Sequence, residues 1–135
     1  NTHLYLAVTA EDPGSLQDDC HLLLDPREDG GTLFRLVAGR DDRFERDYWG
    51  ARNRFAGPYR YAAHEADGVR FLELALPWAG FEMSAPAAGR RLRANLARYH
   101  TDGDRVKATT QWAPTRGYMH PHQHFFGHLE LQGAP

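Results

Sequence analysis

The chain has 135 residues, 41% apolar and 25% charged, and a formal net charge of −2. That composition is globular, and a chain of this length buries about two thirds of its unfolded surface, enough for one core without staples. The near-neutral balance offers no field for nucleic acid or anionic lipid, and no apolar run approaches the roughly 18 residues of a membrane helix.

Short runs with period-two alternation or strong β propensity follow one another, divided by Gly, Pro and Asp, and no apolar stripe keeps helical spacing for three turns. The pattern predicts strands over residues 4–9, 20–25, 32–38, 59–64, 69–76, 92–100, 107–112 and 126–131. Turn chemistry separates them at Asp12-Pro13-Gly14, Asp25-Pro26, Asp29-Gly30-Gly31, Asp67-Gly68 and Asp102-Gly103, the last two reading as hairpin turns. Strand spacing of this kind predicts one all-β, antiparallel sandwich domain over residues 1–135.

Alternation also assigns faces. Leu72, Leu74 and Leu76 point one way and Glu73 the other, so the leucines are expected in the core. By the same rule Cys20, Leu22, Leu24, Phe34 and Leu36 point inward. His21, Leu23, Leu33, Arg35 and Val37 point outward, which places His21 and Arg35 on the non-core face of adjacent strands. Cys20, the lone cysteine, reads as a small buried apolar residue and cannot form a disulfide within this chain.

Two segments read as loops. Residues 39–57 are rich in Asp and Arg yet carry Phe44, Tyr48, Trp49 and Phe55, which suits a flap over a core edge or a binding loop. Residues 113–125 contain Pro114, Gly117 and Pro121 and are expected to cross the open end of the sandwich. Trp78 and Trp112 read as core or core-rim residues. Lys107 is the only lysine among 16 basic residues, a bias that suggests a GC-rich bacterial source. The chain opens on Asn1-Thr2-His3 without methionine, which suggests a processed product or a piece of a longer protein.

The order of segments carries a resemblance. A Leu4-Tyr5-Leu6-Ala7-Val8 strand is followed by Gln17-Asp18-Asp19-Cys20-His21-Leu22-Leu23-Leu24-Asp25, Phe34-Arg35-Leu36, Leu74-Ala75-Leu76-Pro77-Trp78, Ala94-Asn95-Leu96-Ala97-Arg98, Trp112-Ala113-Pro114 and Phe126-Gly127-His128-Leu129. This series resembles carbohydrate-binding module family 9, within the wider group of DOMON-like sandwiches. The resemblance implies an immunoglobulin-like jelly-roll β-sandwich that binds sugar without catalysis, attached to a secreted, periplasmic or cell-surface bacterial protein with a catalytic domain elsewhere. It also implies that N-terminal strands usual in the family are missing here, leaving the first sheet short of an edge. Sugar binding in the family resembles a sandwich of two indole rings around a terminal sugar, helped by polar groups on the strand face. The first indole position falls near Ser15, which cannot stack, and the second at or near Tyr118, which can. The strand-face carboxylate position falls at His21 and the arginine position at Arg35. A pyranose presents an apolar C–H face and a rim of hydroxyls, so Arg35, His21 and Tyr118 would supply part of a site, with Trp49 or Tyr48 replacing the missing ring. The alternative is that Tyr48 and Trp49 cap the core and Tyr118 is ordinary loop packing.

His120-Pro121-His122-Gln123-His124, followed by His128, places alternate imidazoles on one side of an extended segment. His120, His122 and His124 are thus candidate ligands for zinc, copper or nickel, or else solvated loop histidines. No cofactor is required by the sequence. Related sandwiches carry structural calcium, for which Asp18, Asp19, Asp25 and Asp29 are available oxygens, although turn-capping explains the same residues. No elbow, zincin, dinucleotide or phosphate-loop motif occurs, and Glu73 with Glu130 is the acidic pair considered for glycosidic chemistry. Two other readings remain: a structural packing domain of a larger enzyme, and a haem b electron-transfer sandwich using Met83 or Met119 with a distant His.

Overall fold

A computed structural model describes residues 2–11, 19–39, 44–45, 53–102, 105–114 and 126–131. Each of the eight expected strands is present: β1 (His3–Glu11), β2 (Asp19–Asp25), β3 (Phe34–Ala38), β5 (Arg60–Ala66), β6 (Val69–Pro77), β7 (Arg91–Asp102), β8 (Arg105–Gln111) and β9 (Gly127–Glu130). The ninth is β4 (Phe44–Glu45), inside the segment read as a loop. Its two residues pair with Val37 and Ala38 at the end of β3, a pairing too short for alternation to reveal.

The strands form two antiparallel sheets. The smaller has the order β1-β6-β5, and the larger runs β4-β3-β2-β7-β8 with β9 also on β7. β8 pairs with 97–102 of β7 and β9 with 91–94, while β2 pairs with 93–99, so β8 and β9 share the edge of β7 away from β2. The β5–β6 hairpin closes on Asp67 and Gly68, with φ of 52° and 73°. Both residues are left-handed, the type I′ geometry that follows the twist of the flanking strands and favours glycine at the second position.

The main core lies between the sheets. Leu22, Leu24, Phe34 and Leu36 from the larger sheet meet Leu74 and Leu76 from the smaller one, with Leu92 and Ala94 of β7 beside them. Leu72, Leu74 and Leu76 are 2%, 6% and 0% exposed, as their alternation predicts. Each buried leucine contributes about 1.5–3 kcal/mol. One end is closed by a single 3-10 turn, Trp78–Phe81, which follows β6. Phe81 meets Phe34 edge-on at 5.1 Å and Phe55 at 4.8 Å. Phe55 approaches so closely that a side chain at Gly80 would sit 2.3 Å from its ring. Trp78 is core, whereas Trp112 is half-exposed and lies over Gly127 at the rim. Within residues 39–57, Phe55 is part of the main core and Phe44 packs against it, while Tyr48 and Trp49 lie outside the described residues.

The outward face of the larger sheet is also covered. Leu23, Leu33, Ala97 and Phe126 form a second apolar cluster there, with Tyr99 packed against it. Cys20 is half-buried rather than fully buried.

Candidate functional site

The pairing of β2 with β3 and β7 sets the polar residues of that outward face. One row across the strands holds Arg35, Leu23 and Asn95, and the next holds Val37, His21 and Ala97. His21 and Arg35 are diagonal neighbours, within reach of a long side chain. Arg35 Nε and Nη2 donate to His21 Nδ1 at 3.1 and 3.0 Å. A guanidinium only donates, so Nδ1 accepts and the ring proton sits on Nε2. The imidazole packs on Tyr99 with ring centroids 4.4 Å apart, and Arg35 Cζ lies 6.0 Å from the centre of the same ring. That is the outer limit of cation–π range.

His21 and Arg35 are only 3% and 5% exposed. Burying a charge is costly unless it is hydrogen-bonded, and the short contacts to His21 supply part of that compensation. The pair thus forms the floor of the face, with its guanidinium plane fixed by the imidazole and the phenol ring.

Two asparagines fasten chain segments beside this floor. Asn95, fully buried, donates from Nδ2 to the Ala113 carbonyl at 2.8 Å and accepts the Ala113 N–H at 3.0 Å. Asn53 accepts the Leu33 N–H at 2.9 Å, and its own N–H donates to the Leu33 carbonyl at 2.9 Å. Asn53 follows the segment that carries Tyr48 and Trp49, and Ala113 precedes the one that carries Tyr118. One anchor point, Asn95, lies on β7, and the other, Leu33, immediately precedes β3, the strand bearing Arg35. Sequence reasoning did not single out Asn53, Asn95 or Tyr99 for this role. The available signal was Asn95 itself, a poor strand former between Ala94 and Leu96.

Tyr48, Trp49, Tyr118, His120, His122 and His124 lie outside the described residues. Among the described residues, no group of three or more His, Cys, Asp or Glu side chains gathers so as to hold a metal. Of the aspartates weighed for calcium, Asp19 and Asp25 occupy opposite ends of β2, Asp25 and Asp29 belong to one turn, and Asp18 is outside the described residues. Asp29 spends its oxygens on its own turn, accepting from the Gly31 and Thr32 N–H groups at 2.8 and 2.7 Å and from the Thr32 hydroxyl at 3.0 Å. The backbone N–H of Thr32, then that of Gly31, hold its carboxyl below the ordinary value of 3.8. Asp25 accepts the Gly30 N–H on Oδ2 at 3.1 Å, while its buried Oδ1 accepts no hydrogen bond.

Glu73 and Glu130 stand on the outward faces of different sheets. Glu73 pairs with Ala7 in the smaller sheet, and Glu130 with Arg91 in the larger. Packed sheets are about 10 Å apart and these side chains point away from each other, whereas glycosidic carboxylate pairs sit about 5–9.5 Å apart across one bond. The two cannot act as such a pair. Met83 packs against the main core, and Met119 lies outside the described residues.

No protein-family model and no curated protein sequence matches the chain. Solved structures do: the chain is similar to a carbohydrate-binding module family 9 from Caldicellulosiruptor kristjanssonii in complex with glucose, with a TM-score of 0.70 and 15% identity over 98% of this chain and 72% of that one. It is equally similar to the same organism's module in complex with cellotriose, at TM-score 0.70 and 15% identity over 98% and 71% of the two chains. The fold is thus the β-sandwich of those modules.

Proposed function

We propose that this domain binds carbohydrate and performs no catalysis, and that it serves as an appendage raising the local concentration of a catalytic partner near its substrate. The observation that carries the reading is the convergence, on one sheet face, of the Arg35–His21 floor with the anchor points of both aromatic segments. The likeness in fold to modules holding glucose and cellotriose supports it. In this reading a sugar ring or chain end lies over the floor. Tyr118, with Trp49 or Tyr48, stacks on its C–H face, and Arg35 and His21 hold polar groups in place beneath. The buried pair acts mainly by fixing donors, because little of it reaches solvent. The parent protein is proposed to be exported from a bacterial cell, and no metal or cofactor is needed for the binding step.

Affinity electrophoresis through gels containing soluble glucans tests the reading. Wild type is expected to be retarded, Tyr118→Ala to lose most of the retardation while keeping its Tm, and Arg35→Ala to lose both retardation and some stability. Equal mobility of wild type and Tyr118→Ala in every gel would sink the assignment.

A further inference from the structure

The outward face of the smaller sheet has no part in the site above, and it is built unlike an ordinary solvated face. Strand pairing aligns Tyr5 with Ala75 and Arg60 in one row and Ala7 with Glu73 and Ala62 in the next. A third row aligns Thr9, Phe71 and His64. Solvent-facing strand positions are commonly covered by long or β-branched side chains, whereas alanine is depleted in strands. Here Ala7, Ala62 and Ala75 leave the backbone low, and a trough of about 440 Å³ runs over them. Tyr5 stands 64% exposed at one end. Beyond the other end, His64 and Phe71 stack with centroids 4.7 Å apart and planes 10° from parallel. Tyr5 and the Phe71 row are four strand residues apart, about 13 Å.

We propose that this trough is a second binding surface, which takes an internal stretch of an extended, uncharged polysaccharide chain. Tyr5 supplies a stacking face for one pyranose, and the His64–Phe71 pair a second apolar station further along. Between them Arg60 and Glu73 are exposed diagonal neighbours. An arginine only donates and a carboxylate only accepts, so together they complement hydroxyls, which do both. One cation beside one anion gives no pull on a charged polymer. The floor is shallow and open, which suits a chain passing across it better than a chain end held in a cup. A protein partner would require a larger contiguous apolar core than Tyr5 and the His64–Phe71 pair, separated by alanines, provide. The ligand class rests on the carbohydrate reading; the location and the preference for an internal segment do not.

The test is a titration of isotope-labelled wild type and Tyr5→Ala with cellohexaose, followed by amide resonances. Saturable shifts are expected at Tyr5, Ala62 and Ala75, with Tyr5→Ala weakening that response at least tenfold and leaving responses around His21 unchanged. Shifts at the trough alone would support this surface while removing the site over Arg35. Shifts confined to the surroundings of His21 and Arg35 would overturn the trough and leave the other site standing, and shifts nowhere would overturn both. Concentration-dependent shifts at Tyr5 without sugar, with a dimer mass by light scattering, would make this face a self-association surface and also overturn the proposal.

Discussion

Replacing Asn95 by alanine probes the link between the sheet face and the segment that leaves it. The side chain is fully buried and joins both the N–H and the carbonyl of Ala113, at 3.0 and 2.8 Å. A neutral hydrogen bond contributes about 1 kcal/mol net, and a buried group left unpaired costs a further 1–3 kcal/mol. Ala113 is half-buried, so water can reach part of the freed pair, which places the loss at about 2 kcal/mol. For a domain of this size that lowers Tm by roughly 8 °C. Urea unfolding followed by circular dichroism measures the free energy, and retardation in glucan gels measures binding. The expected outcome for Asn95→Ala is a two-state domain with a lower midpoint, an unchanged m-value and binding weaker than the stability loss explains. An unfolding free energy within about 0.5 kcal/mol of wild type, the usual range for a surface change, would refute the clamp.

Gly80→Ala places a methyl carbon 2.3 Å from the Phe55 ring and 3.0 Å from the Ala56 carbonyl, so the core end must shift. The expected cost is about 1–3 kcal/mol in chemical denaturation, and a neutral result would mean that Phe55 does not pack as described. Asp29 has a folded-state pKa depressed by backbone N–H groups, so its contribution is present above the ordinary value of 3.8 and is lost as pH falls through the lower folded value. Asp29→Asn should therefore shrink the stability difference between pH 6 and pH 3, and an identical acid limb in both proteins would contradict that origin. Zinc titrated calorimetrically into chelator-stripped protein is expected to give no heat beyond dilution if His120, His122 and His124 are solvated. A saturable heat lost in His122→Ala would assign them to a metal centre.

The strands were legible because their turns carry explicit chemistry, as at Asp67-Gly68, and because the leucines of β6 alternate with a charge. Direction of side chains on β2 and β3 was equally readable. Cover on both faces was not drawn from the alternation, although the run Cys20-His21-Leu22-Leu23-Leu24 is nearly continuous in apolar residues, as expected for a strand buried on both sides. β4 escaped because two residues hold no period; tertiary pairing with β3 makes it a strand. Asn53 and Asn95 escaped for a related reason, since each acts on a backbone group 18 or 20 residues away. His21 and Arg35 were placed together by parity alone, but parity could not tell that they would be buried against Tyr99.

Binding of wild-type protein to an array of neutral and uronate-containing glycans tests the central claim most directly. The account predicts saturable retention of at least one glycan, competed by the free sugar. Retention of none, by protein that is folded and monomeric, would contradict it and leave a sandwich that serves as a spacer or packing domain.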